Sequence, residues 1–240
     1  MDFSIISENI HYYIDGAFLT IQLVGFSLLI GLLFAIPLAV LRTSKNYLIT
    51  APIRFYVYLF RGTPLLVQIF IIYYGFGQFE WIKSTILWDF FREAYFCALF
   101  AFILNTCAYT IEIIRGAIES TPFGEIEAAK STGMSRITML RRIILPSALR
   151  RAFPGYGNEV IFMLHGSALA SVITLVDLTG AASIINARYY SPFEAYITAA
   201  VFYLAITFSI VWIFRIVEKR IYAHLGPSQE LEKPVLSDAR

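Results

Sequence analysis

Charge is scarce in this sequence. Asp, Glu, Lys and Arg make up 15% of the 240 residues, against 58% hydrophobic residues, and the mean hydropathy is +0.67. A soluble domain carries about 25% charge, so an ordinary soluble enzyme is excluded and an all-α integral membrane protein is expected. The net charge of +2 says little about partners, and no nucleic acid is called for. Cysteine is nearly absent. Cys97 and Cys107 share one apolar stretch at a spacing that suits neither a redox pair nor a metal site, and they read as small buried hydrophobes. His11, His165 and His224 are too dispersed for a metal cluster. There is no G-x-x-x-x-G-K-[ST] phosphate loop, so this chain cannot hydrolyse ATP by that route and the energy must come from a partner. Neither Gly-x-Ser-x-Gly nor His-Glu-x-x-His occurs, which removes the usual signals of an intramembrane hydrolase. Internal repeats, low-complexity stretches and a separate soluble domain are also missing.

What is present is a series of apolar runs, read as five spans at about 17–41, 55–79, 94–114, 152–176 and 195–214. Residues 1–16 hold Asp2, Glu8 and Asp15 but no Lys or Arg, so the first run lacks the basic flank of a signal peptide and reads as a retained helix. Pro37 is placed to kink it near its end. In the second run, Arg54 and Arg61 lie two turns apart on one face, and Gly62-Thr63-Pro64 then interrupts the helix. Lipid offers no partner for the backbone groups that such a break frees. The interruption is therefore either a pointer to a pore or site, or a kink for helix packing. The third run carries Glu112 three residues before Arg115, the spacing of an intrahelical ion pair. The fourth run is the most polar, with Asn158, Glu159 and His165 at membrane depth. An ionisable group there marks either a function or a buried pair.

Residues 115–151 form the one long hydrophilic stretch between apolar runs, and seven of them are Lys or Arg. Basic loops stay in the cytoplasm. On that anchor, sixteen of the nineteen Lys and Arg fall on the inner side, giving five spans with the N-terminus outside and the C-terminus inside. Within the loop, 125–132 is expected to be a short helix, with Gly133 a permissive turn and Ser135 the cap of a second helix. Pro146 and Pro154 are expected to punctuate that helix's exit.

The loop reads Glu127-Ala128-Ala129, three residues, Gly133, nine residues, then Ile143-Ile144-Leu145-Pro146. This pattern resembles the signature loop of the membrane subunits of bacterial ATP-binding-cassette importers, of the type I permease fold. LNTCAYTIEIIRGAI, YGNEVIFMLH and SALAS look like the M-type subunit of histidine, arginine, lysine and ornithine importers. RFYVYLFRGTPLLVQIFIIYYG is also similar to the opine relatives. The likeness covers about residues 15–222. It implies a multi-pass protein of the bacterial inner membrane that pairs with a homologous second permease subunit as a heterodimer. Two ATPase copies that bind ATP and magnesium would dock on the helix around Glu127, Ala128, Ala129 and Gly133, with Ile143, Leu145 and Pro146 completing that motif. A periplasmic binding protein would deliver the substrate. The chain itself needs no cofactor.

The residues also suggest a substrate site near the midplane, built from Asn158 and Glu159, Gly62 and Thr63 of the break, and Ser167. A carboxylate favours a cationic substrate, because a charge-assisted contact offsets the desolvation of both charges. Either Glu159 serves such a substrate, or it neutralises a buried arginine, with Arg61 the candidate. The resemblance points to arginine, histidine, lysine, ornithine or opines, with glutamine or cystine as the alternative. An ion-coupled carrier using Glu159 as a proton site is the remaining class. His165-Gly166-Ser167 stands where the family often has Lys-Ser-Thr, so no contact is carried over from the family there.

Overall fold

The structure is a computed structural model that describes residues 4–222, all of whose regular elements are helical. His224 and the basic residues Lys233 and Arg240 of the tail lie outside the described residues. A short α1, Ser4–Glu8, leads into α2, Ile10–Arg42, a 33-residue helix that is apolar on every side. Leu23, Val24 and Ala35 are buried on one face, while Phe18, Leu29 and Leu33 are exposed on the other. That is the distribution expected of a helix with protein on one side and hydrocarbon on the other. Pro37 is accommodated inside α2 without ending it. The main partner of α2 is α7, Ala94–Glu119. Small residues make the contact: Gly31 lies so close to α7 that a Cβ there would meet Thr106 Cγ2 at 2.6 Å, and Ala98, Ala101 and Ala108 are fully buried. Cys97 and Cys107 are free and buried in the same packing, as expected.

Between these helices run α3, Tyr47–Gly62, and α4, Leu65–Phe70, which continues through a π turn at Ile71–Gly75 and a 3-10 turn at Phe76–Gln78. The sequence pattern treats 55–79 as one span. In the structure the direction changes by 106° at Thr63-Pro64. Proline removes a donor and pushes the preceding residue to extended backbone, and Thr63 is extended at φ −115°, ψ 144°. Two one-turn helices, α5 (Glu80–Lys83) and α6 (Trp88–Phe91), make up the connection to α7.

The hydrophilic loop holds α8, Phe123–Ser131, and α9, Arg136–Met139. Ser135 caps α9 by accepting from the Thr138 amide, as its sequence position suggests. The expected stop at Pro146 does not occur. A π turn at Leu140–Ile144 joins α9 to α10, Leu145–Gly166, and both prolines are absorbed. Pro146 follows directly on the π turn, and the helix runs on through it. A 3-10 stretch, Ser167–Ile173, follows, and Thr174 turns the chain with φ +72°.

Residues 177–192, which the five-span reading leaves as a connection between the fourth and fifth spans, instead hold a helix, α11, Leu178–Tyr189. Leu178, Ala181, Ala182 and Ile185 of this helix are fully buried against α2 and α12. Its alanines and glycine make a weak apolar signal, which explains why composition hides it. Asp177 supplies the cap: Oδ1 accepts from Gly180 N at 2.9 Å, and Tyr203 donates to Oδ2 at 3.3 Å. The final helix, α12, Pro192–Tyr222, is largely exposed along its apolar length. Helices α2, α7 and α12 are each long and apolar enough to cross a membrane.

Candidate functional site

The break between α3 and α4 is held by two buried amides. Gln68 Nε2 donates to Phe60 O at 2.9 Å, to Thr63 O at 3.0 Å and to Thr63 Oγ1 at 2.9 Å. Asn105, from α7, donates to Gln68 Oε1 at 3.0 Å and to Phe60 O at 3.4 Å. Thr63 Oγ1 itself donates to Leu59 O at 2.8 Å. Carbonyls released by the bend are thereby satisfied without solvent. Sequence reasoning singled out Gly62-Thr63-Pro64 but gave Gln68 no role. The available signal was an amide standing alone in an apolar run, opposite a second amide at Asn105.

Against this break lies a cleft of about 320 Å³, bordered by Leu65, Asn105, Tyr109, Glu159, Phe162 and Met163. Glu159 is 5% exposed and makes no ion pair with any described residue. Arg61, its candidate partner, instead sets its guanidinium carbon 5.0 Å over the Tyr109 ring. It lines a second cleft, of about 460 Å³, together with Arg42, Arg54, Tyr58, Gly62 and Glu112.

The other predicted site residues are scattered. Asn158 is exposed on a different side of α10, in a cleft with Phe214, Arg215 and Glu218, because adjacent helical residues point about 100° apart. Ser167 is fully buried and donates to Leu164 O at 2.7 Å, a bond within its own chain turn. Thr63 is committed to the bend. His165 is exposed. Of the substrate candidates, only Glu159 lines the cleft beside the broken helix.

Towards the C-terminal end of α7, Glu112 is ion-paired. It contacts Arg115 Nη2 at 2.8 Å and Arg42 Nε at 3.5 Å, and Arg115 also binds Glu119. The intrahelical pair read from the spacing of three is therefore present, with an arginine of α2 added. Nearby, Arg151 donates to Ala117 O at 3.1 Å, Thr121 Oγ1 at 2.8 Å and Ser147 Oγ at 2.6 Å, tying α10 to the end of α7.

The spacing of the loop motif has a local explanation. Gly133 adopts φ +73°, its amide bonds Lys130 O at 2.9 Å, and the Met134 amide bonds Ala129 O at 3.2 Å. These two bonds close the C-terminus of α8 with a left-handed residue at the position glycine favours. Ala129 faces inward at 2% exposure, whereas Glu127 and Ala128 are exposed. Ile143, Leu145 and Pro146 are half-buried where α9 passes into α10. Phe123 and Ile137, which the motif does not include, present 68% and 70% of their surface.

Close relatives place this arrangement among transport proteins. The chain is 49% identical over 218 residues to the histidine/lysine/arginine/ornithine transport system permease protein of Escherichia coli, covering 90% of this chain and 92% of that one. It is 46% identical over 203 residues to the octopine permease of Rhizobium meliloti, with 85% and 83% covered. To the nopaline permease of Agrobacterium fabrum it is 45% identical over 226 residues, with 94% of each covered. Among solved structures, an amino acid ABC transporter crystallised with histidines matches at TM-score 0.82 and 34% identity, over 92% of this chain and 99% of that one. A methionine ABC transporter in an inward-facing conformation matches at TM-score 0.73 and 16% identity, over 88% and 96%, which shows the shared fold alone. The family model of binding-protein-dependent transport system inner membrane components matches residues 27–222, and the chain belongs to that family.

Proposed function

We propose that this chain is a pore-forming permease subunit of an ATP-driven importer for basic amino acids or opines, with Glu159 receiving the cationic group of the substrate. The observation that carries this reading is a carboxylate 5% exposed on the wall of a cleft, with no ion-pair partner among the described residues. An unpaired buried charge is costly. A cationic ligand entering the cleft relieves that cost, and a neutral one does not. The names of the relatives, which transport histidine, lysine, arginine, ornithine, octopine and nopaline, support the same class.

In this reading the chain crosses the inner membrane five times, with the N-terminus outside and the C-terminus in the cytoplasm. The basic loop and the exposed Glu127, Ala128, Phe123 and Ile137 then face the cytoplasm, where an ATPase dimer holding ATP and magnesium docks on α8. A second, homologous permease subunit completes the pore and a periplasmic binding protein supplies the substrate. Closure of the ATPases moves α8, α10 follows through the continuous helix from α9, and Glu159 rides on α10.

The test is ATPase stimulation in the reconstituted complex, with binding protein loaded in turn with arginine, histidine, lysine, glutamine and cystine. Stimulation by the cationic ligands should fall at least tenfold in Glu159→Gln. Stimulation by glutamine or cystine, untouched by the substitution, would leave an importer but remove Glu159 from its site.

A further inference from the structure

Arg61 lines one cleft and stacks on the wall of another. It is the penultimate residue of α3, just before the glycine of the break, and lines the cleft that holds Arg42, Arg54 and Glu112. Its guanidinium also lies over the ring of Tyr109, and Tyr109 is a wall of the Glu159 cleft. The stacked pair therefore stands between the two spaces. Their charges are opposite. The Glu159 cleft contains a lone carboxylate. In the arginine-lined cleft, Arg42 is committed to Glu112, and neither Arg54 nor Arg61 makes an ion pair with a described residue. A negative cleft and a positive cleft that share one wall suit a ligand with a cation at one end and an anion at the other.

We propose that Arg61 receives the α-carboxylate of the transported amino acid while Glu159 holds its cationic end, and that the Arg61–Tyr109 stack is the partition the substrate opens on its way between the clefts. The inference rests on the role given to Glu159 above. Chemistry favours the exchange. A guanidinium over a phenol ring is held weakly where water reaches it, whereas a carboxylate engages the same group through two parallel, charge-assisted hydrogen bonds. Arginine suits both states because its planar fork can stack and can also bind in two places at once; lysine can do neither as well. Tyr109 thus keeps the fork oriented until a carboxylate displaces it. The arrangement also predicts selection against amines without a carboxylate. Such a dication gains nothing at Arg61 and is repelled by it.

The experiment is direct binding of radiolabelled arginine to the purified, nucleotide-free importer complex without binding protein, alongside agmatine, which is arginine lacking its carboxylate. Arg61→Gln should weaken arginine about tenfold and leave agmatine unchanged or tighter, because a repelling cation has gone. Arg61→Lys should recover part of the arginine affinity, and Tyr109→Leu should lower it by a smaller factor. Equal weakening of arginine and agmatine in Arg61→Gln would make Arg61 a packing residue and overturn the proposal, as would unchanged arginine binding. Glu159→Gln keeps the two readings apart. If it weakens both ligands while Arg61→Gln alters neither, the substrate role of Glu159 stands and that of Arg61 falls. If it weakens neither while Arg61→Gln discriminates between them, the reverse holds.

Discussion

Glu112 and Glu159 are both carboxylates set into apolar helices, and the fold treats them in opposite ways. Glu112 is 15% exposed and sits between arginines of α2 and α7. Glu159 is more deeply buried and faces a cleft, and Arg61 stacks on Tyr109 rather than forming an ion pair with this carboxylate. A carboxylate closed off by its own chain contributes to structure. One left open in a protected cleft contributes to binding, because no ion pair within the described residues offsets its desolvation. Asp177 lies on the closed side as well, satisfied by a backbone amide and a tyrosine hydroxyl rather than by a cation.

The largest effect on stability should come from Glu112→Ala. It strips Arg42 of its ion-pair partner while leaving the arginine mostly buried, 16% exposed, and Arg115 retains only Glu119. Removing one member of a buried pair costs about 3 kcal/mol or more, and partial solvent access places this site near the low end. Thermal unfolding of the purified complex in detergent should show a clear fall in midpoint, with the order of preference among amino acids preserved. Glu159→Gln should do the reverse, holding or raising the midpoint while losing preference for cations. If both substitutions lower stability equally, the contrast between the two carboxylates is wrong.

Asp177→Ala comes next. It removes the cap of a buried twelve-residue helix and leaves the Gly180 amide without its acceptor. Loss of a cap costs about 1 kcal/mol, and an orphaned buried donor adds about as much again. Hydrogen exchange should rise in 178–189 and stay unchanged in 94–119. Asp177→Asn, which keeps an acceptor oxygen, should restore most of the protection. Protection unchanged in Asp177→Ala would show that packing of Leu178, Ala181 and Ile185 holds α11 without the cap.

These cases also show how much of the fold could be read in advance. The long apolar helices, the turn at Gly133, the cap at Ser135 and the Glu112–Arg115 pair each depend on residues close in sequence, where spacing dictates geometry. What escaped depends on residues far apart. The 106° bend is stabilised by Gln68 together with Asn105, thirty-seven positions later, and α11 is a helix because α2 and α12 cover it. Pro146 did not end its helix because a π turn preceding it absorbs the irregularity. Asn158 and Glu159 looked like one site when read as neighbours in sequence, although a helix turns consecutive side chains to different faces. Arg61 was placed near Glu159 for its charge. Its preference for Tyr109 is a three-dimensional fact that no local pattern encodes.

The smallest expected effect on stability separates a third kind of carboxylate from the other two. Glu127 is exposed on α8 and makes no ion pair with a described residue. A surface substitution of this kind changes stability by no more than about 0.5 kcal/mol, so Glu127→Ala should unfold at the wild-type temperature. It should also bind arginine as the wild type does, since α8 lies outside both clefts. If Glu127 acts through the docked ATPase, uptake in proteoliposomes should fall while binding-protein-stimulated ATP hydrolysis continues, giving a lower ratio of substrate moved to ATP consumed. Normal coupled uptake would show that α8 transmits motion through its apolar contacts, with Phe123 and Ile137 the next residues to replace. A loss of stability would show instead that Glu127 has a structural partner and belongs with Glu112. The outcome sorts the carboxylate by where its counterpart resides: in this chain, in the substrate, or in another subunit.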